Sequence, residues 1–321
     1  MIMKKINILF AALAAAAALL AAPALFAENS AVTPDTAAEA AKDGYVTRDY
    51  DFKGFTKLDV SGRFNVIFTK SNKYSVRITI PAEAGNLISV RVEERTLKLG
   101  WNRNFTERWQ KNLNDMKFTA EISMPELTSL EMSGSASFET DDKLEIPDGE
   151  FSLELSGASK ANALRINARE IDVELSGASS CGLTGSYDRA EIEVSGAGNA
   201  DFNITSDSAE IDVSGASDAD IEGRFGRAEI DVSGASTATL SGTAETLYAD
   251  VSGASKLRAK GLEAKDVTVE VSGASHCTVY ATESLTVEDA SGASSIKYKA
   301  SNNVNANVRS LSRSSSVQRI D

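Results

Sequence analysis

The chain of 321 residues contains a single histidine, two cysteines and few aromatic residues, 7% of the total. One histidine leaves no His-rich metal site and no repeated Ser-His pairing, and the many serines lack a strained nucleophile elbow, so nucleophilic catalysis is not expected. The low aromatic content, set against 42% apolar residues overall, suits a thin core better than a thick globular one. Bases are outnumbered as well, 33 Lys and Arg against 46 Asp and Glu, for a formal charge of −13. That balance argues against nucleic acid as a partner, because a phosphate backbone is bound by cations that displace its counterions. An acidic protein in solution is what remains.

What is abundant is repetition. A hydrophobic residue, an acid, another hydrophobic residue and then Ser-Gly, usually Ser-Gly-Ala-Ser, returns throughout residues 150–293. The opening Ser of each phrase stands at Ser133, Ser156, Ser176, Ser195, Ser214, Ser233, Ser252, Ser272 and Ser291, with gaps of 23, 20, 19, 19, 19, 19, 20 and 19 residues. A fixed period of this length marks stacked repeats. Ahead of Ser214 and Ser233 the chain reads Glu210-Ile211-Asp212-Val213 and Glu229-Ile230-Asp231-Val232, the alternation of a strand with one buried face. Alternation resumes at Asp218-Ala219-Asp220-Ile221, and Gly223-Arg224-Phe225-Gly226 reads as a turn that closes the unit. No unit has room for a helix, and none can bury its apolar face alone. Stacking each on the next, about 4.8 Å away, gives a continuous narrow core. The expected fold is all-β, a right-handed parallel β-helix (β-solenoid) with coils of about 19–20 residues and an irregular N-terminal capping region. Its hand follows the rule for parallel crossovers.

Counted from each corner Ser, positions minus five, minus three and minus one collect Ala190, Ile192 and Val194, then Ala228, Ile230 and Val232, then Val267, Val269 and Val271. Positions plus five and plus seven collect Ala200 and Phe202, Ala219 and Ile221, Ala238 and Leu240. These point inward. Position minus two is an acid in every unit: Glu131, Glu154, Glu174, Glu193, Asp212, Asp231, Asp250, Glu270 and Asp289. Position minus four adds Glu191, Glu210 and Glu229, and both sets point outward. Stacked carboxylates repel one another. A Ca²⁺ ion would relieve the repulsion through oxygen ligands, with Glu193, Asp212, Asp231 and Asp250 as the candidate metal column. Solvent, counterions and neighbouring Ser hydroxyls would relieve it as well, and the acids then keep the sheet from sticking to other sheets. The second reading is preferred, because the glycine-rich nonapeptide of Ca²⁺-binding rolls is absent; no other cofactor is expected.

Cys181 and Cys277 both stand at plus five, five coils apart, about 24 Å at strand spacing. A disulfide needs Cα atoms within about 7 Å, so two free, buried thiols are predicted. His276 adjoins Cys277, but neighbours on a strand point to opposite faces, and no Cys-His dyad follows.

Lys4 and Lys5 precede an apolar run over 6–22, and small residues follow at Ala22-Pro23-Ala24 and Ala27. Residues 1–27 therefore read as a secretory signal peptide, with no stable membrane span after its removal and no Cys at the cleavage point to carry a lipoprotein anchor. Residues 28–44 read as a flexible lead-in. Residues 45–130 read as the N-terminal coil and cap: Leu58-Asp59-Val60-Ser61-Gly62 repeats the corner phrase, and residues 86–114 are an excursion that covers one open end. An uncovered end would offer free backbone groups to other strands. Trp101, Phe105 and Trp109 in that excursion form either the cap's own small core or an exposed sugar-stacking surface, with Trp101 and Trp109 as the candidate stacking residues. Residues 131–293 are the regular coils. At 285–289 the phase breaks, where the solenoid is expected to end; an echo at Leu311-Ser312-Arg313-Ser314-Ser315-Ser316-Val317 would add one last coil, so residues 294–321 read as a C-terminal coil or cap.

The phrase Phe52-Lys53-Gly54-Phe55-Thr56-Lys57-Leu58-Asp59-Val60-Ser61-Gly62, the stretch Val90-Arg91-Val92-Glu93-Glu94-Arg95-Thr96-Leu97-Lys98-Leu99 and the Ser-Gly-Ala-Ser coils together resemble one family, over roughly residues 48–320. It is the putative auto-transporter adhesin, head GIN domain family, common in Bacteroidetes-type bacteria. The resemblance implies a secreted or envelope-associated β-helix, hence an exported protein in the periplasm or at the surface of a Gram-negative bacterium. The sequence shows no C-terminal barrel of the autotransporter kind, so self-translocation is not expected.

Three functional classes stand. The leading one is a non-enzymatic, adhesin-like envelope protein that binds a glycan, an envelope protein or another copy of itself, because flat repeated sheets suit recognition over an extended area. A polysaccharide-cleaving β-helix is the rival, but it needs long loops from several coils to build a cleft, and coils of 19 or 20 residues supply none. A purely structural periplasmic protein predicts no ligand.

Overall fold

A 19-residue coil must return to its starting point one strand spacing higher, and the burial pattern shows how it turns. In the computed structural model, which describes residues 37–42, 44–102, 116–301 and 304–320, the strand Asp218–Val232 pairs in parallel and residue for residue with Asn199–Val213 below and Thr237–Val251 above. Its inward positions are Ala219, Ile221, Gly223 and Phe225, and after a slip at Gly226-Arg227 they are Ala228, Ile230 and Val232. The slip is a corner made inside an unbroken ladder. Residues 223–226 are therefore no separate turn, as the glycines had indicated, since Phe225 fills the core at 4% exposure. Gly226 is small for another reason: a Cβ there would stand 2.5 Å from the Asp207 carbonyl oxygen of the coil below. Repetition of this coil gives a β-solenoid of about ten turns; among the described residues there is no α-helix, and a short 3-10 turn lies at Ala82–Ala84.

The other corner is the Ser-Gly-Ala-Ser phrase. Its glycines stack from Gly62 through Gly134, Gly157, Gly177, Gly196 and Gly215 to Gly292, all at positive φ. A Cβ on Gly215 would lie 2.5 Å from the Gly196 carbonyl oxygen, and the same approach of 2.4–2.6 Å recurs along the stack from Gly134 to Gly292. Only glycine satisfies both the left-handed backbone and the contact. The fourth residue of the phrase turns inward, so Ser217, Ser236, Ser255 and Ser275 are buried. The Ser236 hydroxyl donates to the Val213 carbonyl at 2.9 Å, tying one coil to the previous one. All the residues predicted to face inward are buried, from Ala190 through Val271.

The N-terminal end is closed by strands that abandon the parallel pattern. Lys57–Gly62 is the first coil, paired in parallel with Ser129–Gly134 so that Ser61 and Gly62 lie beside Ser133 and Gly134. Beyond it the hairpin Ile88–Glu93 and Thr96–Trp101 adds an outer rung, turning through Glu94 and Arg95 at positive φ, as a tight two-residue hairpin requires. On the adjoining face Phe118–Met124 lies parallel to Phe64–Lys70, and Ser75–Pro81 and Tyr45–Tyr50 extend it antiparallel. The strand Ala37–Lys42 pairs with Tyr45–Tyr50. That part of the stretch read as flexible lead-in is thus a strand, because the sheet edge supplies hydrogen-bond partners that composition cannot reveal. The signal peptide read at residues 1–27, with Phe105 and Trp109, lies outside the described residues.

The solenoid does not stop at the phase break. Val269 pairs with Val287 while Glu270 pairs with Asp289, so Glu288 is an extra bulged residue that restores the register. Ser295–Ala300 and Ser316–Ile320 then stack in parallel as further rungs, so the expected echo does form a coil.

The glycine stack yields a graded prediction. Gly54 also has positive φ but nothing near its Cβ position, so Gly54→Ala is expected to cost about 1 kcal/mol for conformation alone. Gly215→Ala adds a backbone clash and is expected to cost at least about 2 kcal/mol. Urea midpoints of the two variants check the order; equal losses would contradict it.

Candidate functional site

In-register stacking turns each sequence position into a column. Asp59 pairs with Glu131, Glu131 with Glu154, and the ladder continues through Glu174, Glu193, Asp212, Asp231, Asp250 and Glu270 to Asp289. Sequence reasoning missed its first rung, although Asp59 stands in the same phrase, two residues before Ser61. Beside it runs the minus-four column, Asp172, Glu191, Glu210 and Glu229, with Tyr248 at the next rung. Asp172 belongs to this column by the same count and was also missed. The two columns share one flat face. Arg189 borders it, with its guanidinium 3.1 Å from Glu191 and 3.6 Å from Glu210, and Arg227 meets Glu229 at 2.7 Å. At the first rung Lys98 lies 3.5 Å from Asp59.

This face carries an electrostatic cost. The Asp212 carboxyl is pushed up to about 6, first by crowding that strips its water and then by Asp231, Glu210, Glu193 and Glu191. Asp231 and Asp250 are raised by the same desolvation and by Asp250 and Glu270, respectively. Glu154 and Glu174 are raised for like reasons. The Tyr248 phenol is pushed up to about 12 by burial and by the carboxylates of Glu270 and Asp250. At the far end Asp289 accepts hydrogen bonds from Ser310 and Ser291, which hold its carboxyl below the usual range.

Glu193, Asp212, Asp231 and Asp250, the candidate Ca²⁺ column, occupy consecutive rungs, one carboxyl each. They form a line, not a cage. Among the described residues no group of three or more His, Cys, Asp or Glu side chains is placed to hold a metal ion. Trp101 belongs to the cap: its ring lies 5.2 Å from Phe118, edge to face, and 6.1 Å from Phe64. Its indole nitrogen also covers Gly62, 2.6 Å from where a Cβ would stand, and so closes the glycine stack. That packing is the small aromatic core of the cap. Cys181 and Cys277 are free and buried, and burial alone pushes the Cys277 thiol up to about 12 and raises Cys181 too. His276 is exposed on the opposite side of its strand from Cys277, and the dyad is excluded as the alternation required. Among the described residues no helix is long and apolar enough to cross a membrane.

Stacked coils, a glycine spine and continuous charged columns define a repeat protein that displays flat faces. The chain belongs to the putative auto-transporter adhesin, head GIN domain family, whose model matches residues 54–224 and again 200–302. Solved structures similar to it include a putative adhesin from Parabacteroides distasonis ATCC 8503, 18% identical, with TM-score 0.48 over 87% of this chain and 98% of that one. A putative adhesin from Parabacteroides merdae ATCC 43184 is 16% identical, with TM-score 0.48 over 87% and 97%. A putative lipid binding protein from Parabacteroides distasonis ATCC 8503 is 15% identical, with TM-score 0.44 over 87% and 98%. No curated protein matches the chain.

Two predictions follow from these environments. A carboxyl with a raised pKa binds its proton more tightly in the folded chain than in the unfolded one, so Asp212, pushed up to about 6, makes stability rise as pH falls from 7 toward 5, with the raised Asp231 and Asp250 acting in the same direction. Asp212 is still reached by solvent, which screens its neighbours; Asp212→Asn is therefore expected to stabilise by only about 1 kcal/mol at pH 7 and to flatten the pH profile of the melting temperature. A melting temperature that falls steadily between pH 7 and 5 would refute the repulsion. Both thiols are expected to ignore a disulfide-exchange reagent in the native chain and to react after denaturation, read by absorbance of the released thiolate.

Proposed function

We propose that the chain is a non-enzymatic, exported, adhesin-like binding module of the periplasm or cell surface of a Gram-negative bacterium. One observation carries the reading: an acid on every rung from Asp59 to Asp289, flanked by the minus-four column, on a flat face. A repeated surface of this kind suits an extended ligand, and the family name points the same way. Carboxylates accept hydrogen bonds from sugar hydroxyls, and their charge repels sulfated or phosphorylated polymers. The ligand class is therefore a glycan of neutral or amino sugars. A glycan array probed with the purified chain, with and without Ca²⁺, followed by mass analysis of the bound sugars, tests this. Binding without cleavage, weakened in Glu210→Lys/Glu229→Lys, is expected. Cleaved sugars would replace the reading with a glycan-cutting enzyme, and retention of sulfated glycans alone would overturn the ligand class.

A further inference from the structure

The face that follows the Ser-Gly-Ala-Ser corner carries a charge pattern unlike that of the acid ladder. Its outward residues stand at plus four, plus six and plus eight. In the coil of Ser214 these are Asp218, Asp220 and Glu222, all exposed acids. One coil on they are Thr237, Thr239 and Ser241, all neutral hydroxyls. In the coil of Ser252 they are Lys256, Arg258 and Lys260, all exposed bases. Register fixes the order: Asp218, Thr237 and Lys256 share a column, as do Asp220, Thr239 and Arg258. Lys260 sits where the ladder bulges between Thr239 and Ser241, and still points outward.

The flanking rungs are mixed and mostly neutral: Asn199, Asp201 and Asn203 lie below, and His276, Thr278 and Tyr280 lie above. One coil below the acids lies Asp201, beside Asp220. One coil above the bases lies His276, beside Lys256, and above that Lys297, whose rung also holds Lys299. None of Asp218, Asp220, Glu222, Lys256, Arg258 and Lys260 makes an ion pair among the described residues. The neutral rung keeps acids and bases of one chain about 10 Å apart, too far for a direct pair.

A two-fold axis lying along the Thr237-Thr239-Ser241 strand would reverse the solenoid axis and leave the strand direction unchanged. It would set the acid rung of one copy over the basic rung of another, plus four against plus four. Such an isologous contact uses one patch on both subunits and closes on itself. We propose that this face is a homodimer interface, with Lys256, Arg258 and Lys260 of one copy meeting Asp218, Asp220 and Glu222 of the second copy, and the reciprocal set across the axis. The occupant is a second copy because the complementary charges sit at matching positions of the same face, one rung either side of a neutral centre. The three serine and threonine hydroxyls at the centre meet their own equivalents, where no like charges oppose each other. A wholly basic or wholly acidic patch would carry no such self-complementarity. The interface lies on a different side of the coil from the acid ladder and does not depend on the glycan reading.

The test is sedimentation velocity of the full chain at low and high salt. Exposed ion pairs are screened over about 10 Å at 0.1 M salt and about 3 Å at 1 M, so a dimer that dissociates to monomer as salt rises is expected. The acid-reversed chain, Asp218→Lys/Asp220→Lys/Glu222→Lys, and the base-reversed chain, Lys256→Glu/Arg258→Glu/Lys260→Glu, should each be monomeric at low salt. Circular dichroism should show both folded, since all six side chains are exposed. Mixed in equal amounts the two reversed chains should form a heterodimer. A monomeric wild-type chain at low salt would overturn the proposal. So would dimers that survive either reversal, or reversed chains that fail to combine.

Discussion

At each Ser-Gly-Ala-Ser corner the carbonyl oxygen of one glycine lies 2.4–2.6 Å from where the next coil's glycine would carry a Cβ. That close approach sets the geometry of the coils from Gly134 to Gly292. It requires positive φ at every corner and leaves no room for a coil to slide along its neighbour, because a one-residue slip would drive an alanine or serine into the same space. Register is locked, and with it the inside and outside of every strand. The spine begins under Trp101, whose indole lies where the next coil's backbone would otherwise be. An aromatic ring thus ends a stack that no further glycine continues.

Locked register has opposite consequences for apolar and charged positions. In the core it piles Ile211 on Ile192 and Ile230 on Ile211, so each coil buries the apolar face of its neighbours and the thin lumen fills with aliphatic side chains. On the surface it piles carboxylate on carboxylate. The Asp212, Asp231 and Asp250 carboxyls are raised first by desolvation and then by the neighbouring carboxylates, so the ladder carries a cost that the backbone pairing and core beneath it offset. A surface that costs stability and recurs on rung after rung is consistent with a role in recognition. The post-corner face handles charge differently: acids and bases occupy separate rungs of one coil position, an arrangement that offers complementarity only to a partner turned end for end.

The two ends of the solenoid depart most from the repeat. At the N-terminal end, antiparallel strands and a hairpin take the place of a further coil. At the other end the ladder shifts register between Ala259 and Glu263 and again between Ala264 and Asp266, and the bulge at Glu288 then lets the stack continue through Ser316–Ile320. Both devices are local, and neither alters the columns between them.

Periodicity alone determined the parallel stacking, the inward columns, the outward acids and the impossibility of a Cys181–Cys277 bridge, because in a solenoid each position depends mainly on its phase and its nearest coils. Where phase fails, reasoning from sequence failed with it. Residues 223–226 resembled a turn, since Gly marks turns and close backbone approaches alike and only the packed coil below distinguishes them. The break at 285–289 resembled an ending, since a bulge and a terminus disturb the alternation in the same way until a partner strand is present. Ala37–Lys42 resembled a linker because its pairing comes entirely from Tyr45–Tyr50. Trp101 had two possible roles in the sequence, and only the structure shows its partly buried ring packed on Gly62, Phe64 and Phe118. The corner phrase and its spacing set the repeat; the tertiary structure decided the caps, the bulge and the meeting of columns, because those depend on contacts that no repeat encodes.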